Sequence, residues 1–123
     1  MANFNTRIFF RSFRYAAKGL RYALRHEQSF RVQLFCALVT IFLMIVLRVT
    51  RTEALILTVV ISSVLVLEIV NTVFEQLIDV LKPRVHYFVE VMKDLMAAAV
   101  FLAALAALVV GMTIFLPHFS QLL

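Results

Sequence analysis

The stretch VLEIVNTVFEQLIDVLKP, residues 66–83, decides how the chain is read. Most of it is apolar enough for a membrane span, yet it carries Glu68, Asn71, Glu75 and Asp79. These sit at i, i+3, i+7 and i+11. At about 100° per residue they fall within roughly 80° of a helix circumference, so they form one polar stripe. A carboxylate at the centre of a span costs about 2.5–3.5 kcal/mol on insertion scales, and less toward the interface. Several on one stripe need a reason. One is polar contact between helices, with Asn71 bonding across and the carboxylates paired to Lys93. The other is a cation site: one or two carboxylates plus phosphate oxygens are the usual ligands of Mg²⁺.

The rest of the chain supports a membrane setting. Of 123 residues, 63% are hydrophobic, and Gly and Pro number two each. A water-soluble domain needs more polar surface than that to cover its core. The formal net charge is +5, from twelve Lys/Arg against seven Asp/Glu. Nucleic acid is not the expected partner, because the basic residues crowd the N-terminus of an otherwise membrane-like chain. Anionic lipid headgroups are the expected counter-charge. The single cysteine, Cys36, lies in an apolar run, forms no intrachain disulfide and reads as a small apolar filler. No cleavage site of small residues follows Leu47, so the first apolar run reads as retained rather than as a secretory signal.

Residues 7–25, RIFFRSFRYAAKGLRYALR, have the strongest period. Arg7, Arg11, Arg14, Lys18, Arg21 and Arg25 are spaced 4, 3, 4, 3, 4 and share one side of a helix. Phe9, Phe13, Ala16, Leu20 and Leu24 lie on the other side. A basic stripe with an aromatic back predicts a helix lying in the membrane interface. Three apolar runs follow, at residues 32–47, 54–80 and 95–116. Arg31 and Arg48 can snorkel from the ends of the first, which is short for a span. The third carries Ala99, Ala103, Ala107 and Gly111 at i, i+4 spacing, a ridge that lets another helix come close. Pro83 and Pro117 follow the second and third runs, where each helix is expected to stop. The expected architecture is a single all-α integral membrane domain over residues 1–123: an amphipathic interfacial helix, then three transmembrane helices.

Seven Lys/Arg precede the first span and two, Arg48 and Arg51, follow it. The excess puts the N-terminus in the cytoplasm. With three spans, the loop at about residues 81–91 is then cytoplasmic too. The polar stripe, Lys93, Asp94 and Glu27 meet at one membrane face. Glu68 lies deeper, about 16 Å along the helix from Asp79. With only Gly19 and Gly111, no glycine-rich phosphate loop can form. Any nucleotide must be held by side chains and a metal, with a Lys suited to phosphate.

At these residues the chain resembles the prokaryotic-type diacylglycerol kinase family, which includes undecaprenol kinases. The family pattern reads Glu-x-x-Asn-Thr/Ser-x-x-Glu, Asp, His, then Lys-Asp before an Ala-rich helix. Here it is E68-I-V-N71-T72-V-F-E75, D79, H86 and K93-D94-L-M-A-A-A-V100. KGLRYALRHEQSFR, residues 18–31, matches an upstream segment. The likeness runs from about Arg11 to Phe115 in order and spacing. It implies an ATP-dependent, Mg²⁺-requiring lipid kinase of the bacterial inner membrane, a homotrimer with sites between subunits. Diacylglycerol is the first expected substrate and undecaprenol the alternative.

Carried over residue by residue, the resemblance makes Glu68 the catalytic base, and Glu27 and Glu75 the metal ligands. Asn71, Lys93 and Asp94 take catalytic positions. Tyr15, Glu27, Glu75, His86, Lys93 and Asp94 take ATP-binding positions. Arg21, Phe30, Arg31, Glu68 and Ala97 take lipid-binding ones. Val73, Phe74, Arg84 and Met92 depart from the pattern: Arg84 stands where a ribose-contacting carboxylate is common, and Phe74 and Met92 alter the helix contact beside the site. Two other classes stay open on the residues themselves. An ion or proton carrier would use the stripe as a relay. A structural membrane subunit would not need Glu75.

Overall fold

The computed structural model describes residues 3–81 and 86–123, with His86 described in its backbone alone. Four helices account for its regular structure: α1, Thr6–His26; α2, Gln28–Val46; α3, Arg51–Leu81; and α4, His86–Leu122. The last three are long and apolar enough to cross a membrane. All four match expected elements, with two corrections at their ends.

The start of α1 is set locally. Asn5 caps it, its side-chain oxygen accepting from the backbone N–H of Arg7 at 3.0 Å and of Ile8 at 3.4 Å. Phe4, just before the cap, packs on Phe9 with ring centroids 5.7 Å apart, a hydrophobic staple that fixes the entry of the chain. Phe9 in turn meets Phe13 one turn on, at 5.0 Å. The helix ends at Glu27, whose extended backbone (φ −113°, ψ 107°) breaks the helical path for one residue. Glu27 closes α1 with its own N–H, donated to the Ala23 carbonyl at 2.9 Å, and opens α2 by accepting from the Arg31 N–H at 3.2 Å. The Arg31 guanidinium reaches back to the Leu24 and Arg25 carbonyls at 2.9 and 3.0 Å. It thereby caps the C-terminus of α1, where a cation is favoured.

α2 ends in a left-handed residue, Arg48 (φ 54°). The Val49 N–H donates to the Met44 carbonyl at 3.3 Å, closing the helix end. α3 then begins with a capping box: the Glu53 N–H donates to Thr50 Oγ1 at 3.2 Å, and that hydroxyl donates to Glu53 Oε1 at 3.1 Å.

The first correction is the start of α4. The loop expected to about residue 91 is helical from His86 onward. Glu90, Lys93 and Asp94 make this segment too polar to read as span, but helical propensity does not stop at the membrane surface. Val89 is buried at 3%, so the extra turns pack on the bundle. The second correction is Pro117, which lies inside α4 instead of ending it. Proline removes one helix hydrogen bond. So close to the end that loss is small, and the His118–Glu53 contact described below holds the following turn.

The tightest helix pair is α3 with α4, then α2 with α3. Leu57 and Ile78 of α3 are the most buried large side chains, at 2% and 1%. Ala99, Ala103, Ala107 and Gly111 are all half-buried, and Ala107 sits near Ile61 and Val64 of α3. None of the most apolar window of α4 is buried within the chain. Most of the spans' apolar surface therefore faces outward, to lipid or to other chains. That surface would be untenable in water.

Candidate active site

The polar stripe of α3 holds as expected, and the fold brings other elements to it. Glu68 is 4% exposed and is the one buried ionisable side chain among the described residues. Its carboxylate finds no hydrogen-bond donor among them. Next to it, buried Thr72 donates to the Glu68 backbone carbonyl at 3.0 Å, so the hydroxyl satisfies its own helix and leaves the carboxylate free. One turn along, Asn71 Nδ2 donates to Glu75 Oε1 at 3.3 Å, which aims Glu75 and leaves its second oxygen available.

Glu27 arrives from the joint between α1 and α2 and is half-buried there. Among the described residues, Glu27 and Glu75 are the charged groups that lie near Glu68. Three carboxylates from two places in the chain thus share one corner of the bundle. Uncompensated, they repel one another, and a cation between Glu27 and Glu75 would relieve that repulsion.

The start of α4 adds the basic partner. Lys93 Nζ lies 3.7 Å from Asp79 Oδ1, with the side chains 38% and 63% exposed. Asp94 follows it, exposed. Among the described residues, no three His, Cys, Asp or Glu side chains stand together in a way that would hold a metal by themselves. Two carboxylates without a third fit a Mg²⁺ that arrives with phosphate oxygens, and do not fit one caged by protein alone.

The remaining expected residues are spread more widely. Tyr15 is 60% exposed on α1, with Lys18 Nζ 5.9 Å from its ring centre. It lies about 18 Å up the helix from Glu27, so the chain does not draw it into the carboxylate corner. Arg21 is exposed between them, and Ala97 is exposed at the membrane-entering part of α4. Phe30 is 3% exposed, packed inside the bundle. Arg31 is engaged with the end of α1. The His86 side chain and Arg84 lie outside the described residues. Of the departures from the pattern, Phe74 is 37% exposed and Met92 half-buried.

Two contacts were not legible beforehand. Tyr22 Oη accepts from Gln76 Nε2 at 2.7 Å, tying α1 to α3 across 54 positions of sequence. At the other end of the bundle, His118 Nε2 meets Glu53 Oε2 at 2.9 Å across 65 positions. Neither pair has a local signature. A cleft of about 520 Å³ lies away from the carboxylates between α2 and α4. It is lined by small and apolar side chains including Cys36, Ala107, Gly111 and Phe115.

Comparison with known proteins bears on this corner directly. The sequence pattern of a family described as prokaryotic diacylglycerol kinase matches residues 14–115, which include Glu27 and the whole acidic stripe. A diacylglycerol kinase of Synechocystis sp. is 33% identical over 113 residues, 91% of this chain. The chain spans 65% of that relative's length. An undecaprenol kinase of Bacillus subtilis is 28% identical over 109 residues, covering 89% of both chains.

Proposed function

Since the chain belongs to the prokaryotic diacylglycerol kinase family, a family of lipid kinases, we propose that it transfers the γ-phosphate of ATP to the primary hydroxyl of a membrane lipid. Diacylglycerol is the substrate put first, with phosphatidic acid as product. Undecaprenol is the competing acceptor, and the names of the two relatives point one to each.

The observation that carries the reading is Glu68. It is buried, without a donor among the described residues, and has Glu27 and Glu75 nearby. A carboxylate that accepts no hydrogen bond from neighbouring groups keeps its lone pairs for an incoming hydroxyl, as a general base requires. Glu68 accepts the proton of the lipid hydroxyl as that oxygen attacks the γ-phosphorus. The bond to the bridging oxygen breaks, and ADP leaves. Glu27 and Glu75 would hold Mg²⁺ against the phosphates, where it neutralises their charge. Lys93 adds a second cation, and Asn71 keeps Glu75 in position. Phosphoryl transfer rests mostly on such positioning and charge neutralisation. Asp94, Tyr15 and His86 are assigned to the nucleotide, and Arg21, Phe30, Arg31 and Ala97 to lipid binding, on the family pattern.

The setting follows from charge. The α1 stripe lies on anionic headgroups at the cytoplasmic face of the inner membrane, and the acidic corner opens on that face. α1 contains no acidic residue to oppose that attraction. The homotrimer with shared sites is part of the same proposal: it gives the outward apolar faces of the spans a partner.

The test is purified protein in mixed micelles with labelled ATP, offered diacylglycerol and undecaprenol separately, with and without Mg²⁺. Labelled phosphatidic acid formed only with Mg²⁺ is the expected result. Label on undecaprenol alone would reassign the acceptor. Label on neither lipid would overturn the kinase reading.

A further inference from the structure

Building on the assignment of Glu27 and Glu75 to the metal, we infer that the Tyr22–Gln76 hydrogen bond is a brace that sets the spacing of these two glutamates, making Tyr22 and Gln76 positioning residues for the metal–nucleotide complex. Tyr22 lies within the matched upstream segment and Gln76 just beyond the Glu-x-x-Asn motif, and the family pattern given above assigns a role to neither.

The two glutamates sit on elements that are otherwise loosely joined. Glu27 is the one-residue joint between α1 and α2, with extended backbone on a short pivot. Ala23 is the one residue of α1 that is buried; the rest of that helix is exposed. A helix held by its last turn can swing about its joint, and Glu27 would move with it. Glu75, by contrast, rides on α3, which is fixed through Thr72 and Ile78 on the turns either side. Holding Glu27 and Glu75 at a constant separation therefore needs a tie between the last turn of α1 and this turn of α3. Tyr22–Gln76, at 2.7 Å, is the one side-chain hydrogen bond between those helices among the described residues.

Both ends of the tie are prepared. The Tyr22 ring stacks on His26, centroids 4.2 Å apart and planes 21° from parallel, which limits where the hydroxyl can point. His26 is the residue immediately before Glu27. Gln76 immediately follows Glu75. The tie thus runs between the turn ending in one metal ligand and the turn carrying the other. Arg31 completes the arrangement by holding the α1 carbonyls from the α2 side. A metal with strict preferences in ligand geometry punishes a loose pair of carboxylates in affinity.

The experiment uses the full chain in mixed micelles, with Mn²⁺ as the probe and a non-hydrolysable ATP analogue present, read by electron paramagnetic resonance. The variants are Tyr22→Phe, which deletes the hydroxyl and keeps the stacked ring, Gln76→Ala, and the two together. Each single variant is expected to weaken Mn²⁺ binding about three- to tenfold, the effect of one lost hydrogen bond. The double variant should be no worse than the weaker single one, because both remove the same tie. In turnover assays the Mg²⁺ requirement should rise while the KM for lipid stays within about twofold. Unchanged Mn²⁺ affinity in Tyr22→Phe, or additive losses in the double variant, would overturn the brace. Glu75→Gln, run alongside, separates the two readings. If Glu75→Gln leaves Mn²⁺ binding intact, the metal assignment itself fails. If it abolishes binding while Tyr22→Phe does nothing, the brace alone fails.

Discussion

The α3–α4 pair carries a polar side-chain contact at each end, and the two are built differently. At the far end, His118 and Glu53 meet at 2.9 Å with side chains 20% and 26% exposed. Glu53 is also locked into the Thr50 capping box, so its carboxylate is engaged on both oxygens. At the site end, Lys93 and Asp79 stand 3.7 Å apart and are largely exposed. Around them Glu27, Glu68 and Glu75 remain without a basic partner among the described residues. One end has its polar groups paired and half-buried; the other, among the described residues, holds carboxylates in surplus. Paired groups fasten helices. A local surplus of carboxylates stores repulsion that a cation and a phosphate-bearing ligand can relieve. The contrast separates a clasp from the proposed binding site.

The sharpest way to break that contrast is Glu68→Gln. The amide is nearly isosteric and keeps the packing, so helix content and assembly should be unchanged by circular dichroism and size exclusion. Lipid phosphorylation should fall about 10²–10⁴-fold, the span expected for loss of a general base. Turnover within a few-fold of the parent protein would return Glu68 to the role of structural polar residue. Next comes Glu27→Gln combined with Glu75→Gln. Removing both carboxylates should raise the Mg²⁺ concentration for half-maximal activity by about tenfold or more and leave thermal stability equal or higher, since two mutually repelling charges are gone. A Mg²⁺ titration curve superimposable on the parent's would dissolve the distinction between the two ends.

What the sequence could and could not disclose follows the range of the interactions. Glu68, Asn71, Glu75 and Asp79 were legible because one helical period sets them on one face, and their cost in a span flags them. The four helices were legible for the same reason, through local apolar runs and the 4, 3 spacing of the α1 cations. Pro117 misled because a local rule was applied where a distant contact, His118 to Glu53, holds the turn beyond it. The start of α4 was placed late because Glu90, Lys93 and Asp94 dilute the hydropathy of a segment that is helical all the same. Tyr22 and Gln76 look like ordinary surface residues until the fold sets them 2.7 Å apart. Arg31 is a similar case: a basic residue flanking a span reads as a headgroup contact, but its guanidinium bonds the carbonyls ending α1.

His118→Ala probes the clasp. It should lower the midpoint of thermal unfolding by a few degrees and leave kcat at low temperature unchanged, because Glu53 lies about 22 Å along α3 from Glu68. The loss should be largest for the last turn of α4. There the proline has already removed one backbone bond, so hydrogen exchange beyond Pro117 should speed up before exchange in the rest of the helix. A drop in kcat with no change in stability would mean that the far end communicates with the site, and the two ends would no longer be separable in function.

The smallest expected effect is at the site end's own ion pair, and it is the most discriminating for Lys93. Asp79→Asn removes an exposed partner at 3.7 Å. Exposed pairs contribute about 0.2–1 kcal/mol, so the unfolding midpoint should scarcely move. The informative readout is the KM for ATP. If Lys93 serves phosphate, Asp79 competes for it, and neutralising Asp79 releases the ammonium toward the nucleotide. The KM should then stay the same or fall by up to about threefold, most visibly at low salt, where the exposed charges are least screened. A rise in KM of tenfold would reverse the assignment: Asp79 would be holding Lys93 in its working position, and the pair would belong to the site instead of competing with it.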